Sequence, residues 1–428
     1  MSASPISPVL LVIGYVWPEP ASSAAGSRLL QLIRAFQEDG YRVVYGTPAE
    51  ESPHASDLAA LDIEAVALAL NCDSFDGFIR ELNPDVVMFD RFMMEEQFGW
   101  RVEAHCPRAL RVLDTEDLHS LRHARAAQLK RQPHSIPLIP DIEFRHSELA
   151  LREVAAILRC DVSLMISTFE IDYLTRFFQV PPTQLLYVPF MEEVTAAQSS
   201  LPFAQRAHFI SIGNFRHEPN WDAVRFLKET VWPLIRKQLP QAELHIYGAY
   251  PPKKATQLHN ERSGFLVKGW APDAQEVVRQ ARVMLAPLRF GAGLKGKLID
   301  AARNGTPAVT TSIGAEGMYG DDVPPCALVA DTPEAFAWAA VGLYQNEDQW
   351  LPLHHNGLRL LEQRFSFATH APRLQQRITQ LRATLEEHRQ AHFYGQMLRH
   401  HSLKSTRYMS QWIEAKNRLK DIGQNDLE

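Results

Sequence analysis

The stretch Ala281 to Met318, ARVMLAPLRFGAGLKGKLIDAARNGTPAVTTSIGAEGM, constrains the fold more than any other part of the chain. Val283 to Pro287 is an apolar run of strand length, and a loop with Gly291 and Gly293 follows it. Lys295 and Lys297 stand where that loop turns into a helix, predicted from about Leu294 to Asn304. Gly305 is its C-terminal stop, Pro307 lies just beyond, and Pro307 to Thr311 reads as the next strand. Free N–H groups at the helix start, the helix dipole and the close approach that glycine allows all favour a bound diphosphate. Asp300 lies one turn after Lys297 on the same face, where a carboxylate can accept hydrogen bonds from ribose hydroxyls. The other reading is a plain βαβ unit whose lysines are solvated.

A chain of 428 residues holds two or three domains, and 46% hydrophobic with 22% charged residues is enough to bury ordinary cores. The formal charge of −6 points away from general nucleic-acid binding. Cys72, Cys106, Cys160 and Cys326 are scattered with no C-x-x-C, which argues against a zinc ribbon or a disulfide scaffold and suits a reducing cytoplasm. The N-terminal MSASPISPVLLVIGYVW has no basic region, its apolar run is too short for a signal or a span, and no stretch reaches transmembrane length. The expectation is a cytoplasmic protein.

From the start, Val9 to Val16 reads as a buried parallel strand, and the small-residue loop PEPASSAAGSR ends at Gly26, Ser27 and Arg28. A helix carrying Leu29, Leu32, Ile33 and Phe36 and a strand Tyr41 to Tyr45 follow. This is β–loop–α–β without G-x-G-x-x-G, so the nicotinamide fingerprint is missing. Gly26 and Arg28 are candidates for the acceptor side. Asp85 to Phe89 is a strand ending at Asp90 and Arg91; Leu110 to Leu113 runs into Asp114, Thr115, Glu116, Asp117, Leu118 and His119, where open α/β sheets bind ligands. Arg122, His123, Arg125, Lys130 and Arg131 are either a solvated helix face or a loop that receives an anionic or lipid-linked acceptor. A helix Arg145 to Leu158, a strand Val162 to Ile166 and a capping box Ser167 to Glu170 follow.

Ser199 to Ala207 reads as the linker between an N-terminal domain, 1–200, and a second, 205–367. The pattern restarts there: strand His208 to Ile212, then Gly213, Asn214, Arg216 and His217, with Asn220 or Asp222 capping the next helix. Ala242 to Tyr247 is a strand, and Phe265 to Val267 precedes Gly269 and Trp270. Two α/β halves in tandem imply two Rossmann-like domains around a cleft. From 368 to 428 the chain reads as helix, with stripes at Ile378, Leu381, Leu385 and at Met409, Trp412, Ile413, Leu419, and with Arg389, Arg399, Lys404 and Arg407 between. That segment can pack on the first domain, bind a partner or lie on a membrane.

FISIGNFRHEPNWDAVRFL, LHIYG, VKGW and VMLAPLRFGAGLKGKLIDAARNGTPAVTTSIGAEGM resemble the donor half of GT-B glycosyltransferases of the retaining family 4, "group 1". The resemblance is strong over 209–318 and weaker over 9–44 and 111–119. It implies an α/β GT-B fold with C-terminal helices crossing back onto the first domain, and transfer of a sugar from a nucleoside-diphosphate sugar to a glycan, lipid-linked or protein acceptor. The diphosphate roles fall on Arg216 and Lys295 or Lys297, and the ribose role on Asp300. Backbone at Gly213, Asn214, Gly269, Trp270, Gly291, Ala292, Gly293 and Leu294 would complete the donor site.

Many members carry two glutamates eight positions apart; here Asp300 stands at the second and Ala292 at the first. Glu116 stands nearest the place of the family's first-domain histidine, with His119 three residues later and Asp117 and Arg122 beside them. With no D-x-D pair, arginine, lysine and a helix N-terminus would replace a metal, and no cofactor is implied beyond the donor itself. In the retaining mechanism the leaving phosphate takes the acceptor proton; an inverting enzyme would want Glu116, Asp117 or His119 as base. The alternatives are a catalytically weak nucleotide-sugar sensor or scaffold, and a nucleotide-sugar epimerase.

Overall fold

A computed structural model describes residues 7–133, 135–194, 201–320 and 323–425. Each half of the chain builds one wholly parallel sheet. In the first, β1 (Val9–Ile13), β2 (Arg42–Thr47), β3 (Ile63–Ala67), β4 (Val86–Asp90), β5 (Leu110–Asp114), β6 (Val162–Met165) and β7 (Leu185–Tyr187) lie in the order β3-β2-β1-β4-β5-β6-β7. In the second, β8 (Ala207–Ile212), β9 (Leu244–Tyr247), β10 (Phe265–Gly269), β11 (Ala281–Ala286), β12 (Ala308–Thr310) and β13 (Ala327–Val329) lie in the order β10-β9-β8-β11-β12-β13. Central strands such as β1, β4 and β11 are buried on both faces, which explains their unbroken apolar runs. The fold is α/β with two Rossmann-like sheets. The strand order reverses at β1/β4 and at β8/β11, and ligand crevices form at such points.

The helices that position the site are α1 (Ala24–Glu38), α2 (Phe92–His105), α3 (His119–Arg131), α4 (Glu148–Arg159), α5 (Thr168–Phe178), α6 (Glu218–Phe226), α7 (Gly296–Arg303), α8 (Phe367–Ala383) and α9 (Phe393–Asn425). The chain returns to the first domain at Glu192 and Ser366, which pair as an isolated bridge. Phe367, Ala371, Leu374, Ile378 and Leu381 of α8 then share a core with Leu10, Val12, Val86 and Val112 of the first sheet. Helix α9 packs on α2 and α4.

Several local expectations change. Strand β1 ends at Ile13, short of Val16. Helix α4 starts at Glu148, capped by Ser147, after a separate turn over Ile142–Arg145. Helix α7 starts at Gly296, because Lys295 has the extended φ of −100° of an N-cap. The capping box at Ser167 does not form: Ser167 makes no cap hydrogen bond, and Glu170 reaches across to the second domain instead. His217, not Asn220 or Asp222, is the N-cap residue of α6; Asp222 ion-pairs with Arg289. The expected linker lies partly in 195–200, outside the described residues, and Ala207 already belongs to β8. The stripe at Met409, Trp412 and Leu419 faces solvent rather than the core.

Candidate active site

A cleft of about 720 Å³ lies between the two sheets. Strand β11 delivers the glycine loop to it. Two groups of the first domain hold that loop: Gly293 N–H donates to Glu170 Oε1 at 2.9 Å, and Gly291 O accepts from Arg125 Nη1 at 2.7 Å. Gly293 has φ +62°, and a Cβ there would come within 2.8 Å of Asp117 Cβ, so both the conformation and the close approach require glycine. Gly296 opens α7 against α1, where an added Cβ would meet Ala24 Cβ at 2.2 Å.

The two lysines separate in role. Lys295 is buried and bends back, its Nζ donating to Ala292 O at 3.0 Å and Gly293 O at 2.5 Å. It braces the loop. Lys297 Nζ donates to Asn220 Oδ1 at 2.9 Å on the cleft wall. Burial, reinforced by Lys295, pushes the Lys297 ammonium down to about 8, with Asp300 opposing.

Arg216 N–H donates to Asn214 Oδ1 at 2.8 Å, and its guanidinium lies 3.5 Å over the Tyr250 ring. Tyr250 Oη in turn donates to the first domain's Glu19, 3.0 and 3.1 Å from its two carboxylate oxygens. Asp300 Oδ1 accepts from Gln275 Nε2 and from Arg303, both at 2.9 Å, and Arg303 also pairs with Glu192. Burial raises the Asp300 carboxyl above its ordinary value. Trp270 lies 4.9 Å from the His54 ring, and its indole N–H donates to Ala21 O at 3.3 Å. Leu294, Ala292, Gly291, Gly213 and Asn214 line the cleft; Gly269, at φ +78°, precedes Trp270 at the end of β10.

On the first-domain side, Glu116, Asp117, His119 and Arg122 reach the cleft. Gly26 and Arg28 do not. Arg28 is fully buried, paired with Asp114 and donating to Val188 O at 2.9 Å; Gly26 packs against the backbone of Glu19. Both shape the wall behind the site. Glu116 has φ +59°, and burial beside Asp114 pushes its carboxyl well above the usual range. Burial opposes ionisation of Asp117 as well, but Arg122, His119 and His217 hold it far below the usual range. Burial pushes His119 down to about 4, against the pull of Asp117 at 3.6 Å, and His217 down to about 3.

Sequence reasoning missed Glu19, Asn220, Tyr250, Glu192 and Arg303 as cleft residues. Asn220 carried a signal, but for a cap. Glu19, Tyr250 and Glu192 sit in segments whose approach depends on packing between domains, whereas Arg303 lies one turn after Asp300 on α7. Among the described residues, no group of three or more His, Cys, Asp or Glu is placed to hold a metal.

Residues 206–346 match the sequence model of the family "Glycosyl transferases group 1". No curated protein sequence matches the chain. Solved structures with a similar fold include sucrose-phosphate synthase from Thermosynechococcus elongatus, at 17% identity and TM-score 0.64, covering 88% of this chain and 100% of that one. HepE from Anabaena, solved in complex with UDP and glucose, gives 11% identity and TM-score 0.64, covering 87% of this chain and 100% of that one. WaaG, a glycosyltransferase involved in lipopolysaccharide biosynthesis, gives 13% identity and TM-score 0.59 over 86% of this chain and 99% of that one.

Residues 206–346 are thus similar to group 1 glycosyltransferases, and the chain as a whole shares the GT-B fold of the solved structures. The family match covers β8 to β13, the sheet that carries the glycine loop, Lys297 and Arg216. The first domain, outside the match, contributes Glu170 and Arg125, which fix that loop in place.

Proposed function

We propose that the protein moves a sugar from a nucleoside-diphosphate sugar, of the UDP-hexose kind, to an acceptor hydroxyl on a glycan, a lipid-linked glycan or a protein. One observation carries the reading: the N-terminus of α7, Lys297 and Arg216 converge on a cleft beside a glycine loop. No α7 side-chain cap occupies that helix end, so its first N–H groups and the ammonium form a positive field where diphosphate charge grows as the glycosidic bond breaks. Holding acceptor and donor together across the interdomain cleft supplies the rest. Asp300 Oδ1 is taken by Gln275 and Arg303, and Oδ2 is the oxygen for the ribose.

Retention is the better-supported outcome. Two of the three first-domain candidates are poor bases at neutral pH: Asp117 is tied to Arg122, and His119 is depressed to about 4. The departing phosphate then takes the acceptor proton as the acceptor oxygen bonds to the anomeric carbon. The reading is metal-independent and cytoplasmic, and the four free cysteines suit a reducing compartment. Ala292 in place of the family's first glutamate favours, as second reading, a sensor or scaffold that binds the donor without turning it over.

The test is incubation of the purified protein with UDP-sugars, with and without acceptors, followed by product analysis at the anomeric carbon. Transfer with a retained anomer supports the proposal. UDP binding without transfer or hydrolysis selects the scaffold, and an altered free nucleotide-sugar selects an epimerase.

A further inference from the structure

Helix α9 uses one face to hold the fold. Gly395 lies against Leu158 O, where a Cβ would come within 2.3 Å. Arg399 donates to Arg159 O at 3.0 Å, Ser410 is buried, and Glu414 reaches Arg101 at 3.5 Å. These positions recur three to four residues apart, or at multiples of that spacing, and define the inward side. The opposite side carries Met397, Tyr408, Trp412 and Leu419, exposed to 41%, 66%, 59% and 70%, and Phe393 and Tyr394 extend it at 69% and 67%. At a rise of 1.5 Å per residue the stripe is about 39 Å long. Exposed apolar and aromatic side chains clustered at 393–397 and 408–419 along one face mark a surface that something covers.

Charge decides what covers it. The chain as a whole is acidic, at −6, yet Phe393–Asn425 holds six lysines and arginines against two acidic residues. Lys404 lies within the stripe and Arg407 beside it, both exposed, and Lys416 Nζ sits 5.1 Å over the Trp412 ring. Glu414 is turned inward to Arg101, Arg399 inward to Arg159 O, and Arg418 pairs with Asp73, which leaves Lys404, Arg407, Lys416 and Lys420 as the outward cations. A second copy of the helix would set cation against cation along this face. An anionic lipid surface complements it: aromatic side chains settle at headgroup level, apolar ones enter the acyl boundary, and the basic ones meet lipid phosphates. Among the described residues no helix is long and apolar enough to cross a membrane.

We infer that α9 is an interfacial helix that docks this protein flat on an anionic membrane through Tyr408, Trp412 and Leu419, with Lys404, Arg407 and Lys416 on the headgroups. The inference does not rest on the donor reading, and either can fail without the other.

The experiment is flotation of the intact protein with vesicles of phosphatidylcholine alone or mixed with phosphatidylglycerol. The expected result is flotation with the anionic vesicles only, reversed by high salt. Tyr408→Gln with Trp412→Gln, and separately Lys404→Glu with Arg407→Glu, should each lower the bound fraction about tenfold or more. All four positions face solvent, so the melting temperature should stay unchanged. Absence of flotation, flotation unaffected by both pairs, or equal flotation with neutral vesicles overturns the inference. So does a dimer in light scattering that the same substitutions dissolve while nothing floats.

Discussion

Arg125 of the first domain and Glu316 of the second form a two-point ion pair out of reach of solvent, Nη1 to Oε1 at 3.0 Å and Nη2 to Oε2 at 2.5 Å. The same guanidinium donates to Gly291 O at the head of the glycine loop. The contact between domains and the shape of the glycine loop are therefore one structure. Removing one member leaves a buried charge, at a cost of roughly 3–5 kcal/mol, whereas replacing both removes the desolvation cost with the attraction. Arg125→Met and Glu316→Leu should each lower the melting temperature strongly, and the double variant should recover part of the loss. Additive losses in calorimetry would contradict the coupling.

Lys297→Ala should lower kcat by about 10²-fold or more, the effect of losing one donor worth roughly 3–4 kcal/mol to a charged transition state. Arg216→Ala should behave alike. Lys295→Ala should act differently, lowering stability as well as turnover, because its ammonium serves the carbonyls of Ala292 and Gly293. Near-normal turnover of both Lys297→Ala and Arg216→Ala at saturating donor would remove the diphosphate assignment.

The Lys297 ammonium, lowered to about 8, loses its proton as pH rises through that value. UDP affinity, followed by calorimetry, should be flat below it and fall about tenfold per pH unit well above it, if one proton is required for binding. Lys297→Arg should keep affinity flat across this range, since a guanidinium does not titrate there. For folding the sign is opposite. Between about 8 and the ordinary 10.5 the unfolded chain binds more protons at this lysine, so its contribution to stability rises with pH. An unchanged UDP affinity from pH 7 to 9 in the parent would exclude Lys297 as the contact.

Gly296→Ala places a methyl group where Ala24 already stands, so α7 must move off α1. Weaker donor binding and slower turnover are expected, and Ala24→Gly in the same chain should restore part of both. A double variant no better than the single one would show that the two positions do not meet.

Turnover should survive EDTA, because Lys297, Arg216 and the α7 N-terminus carry the charge that a cation would otherwise neutralise. Loss on chelation, restored by magnesium or manganese, would overturn this.

The βαβ units were legible because parallel strands buried on both faces must be apolar throughout, and because glycine, proline and capping residues mark where helices start and stop. The stretch around Lys297 was legible as strand, glycine loop and helix for the same local reasons. Local reading erred where a side chain had two possible partners. Glu170 satisfied a capping-box pattern, yet it bonds Gly293 N–H from the other domain. Arg28 lay in a loop of small residues that promised a ligand, yet it is consumed by Asp114 and Val188 O.

By itself the sequence determined the two sheets, their parallel sense, the glycine loop and the lysines that follow it, since these depend on neighbours within a few positions. Only the tertiary structure decided that Lys295 turns back onto its own loop while Lys297 meets Asn220, that Glu19 meets Tyr250, that Arg125 and Glu316 join the domains, and that the aromatic stripe of α9 points outward. Those outcomes depend on how two separately folded sheets and a returning helix pack together. An amphipathic period shows that a helix has two faces, and packing decides which of them the protein covers.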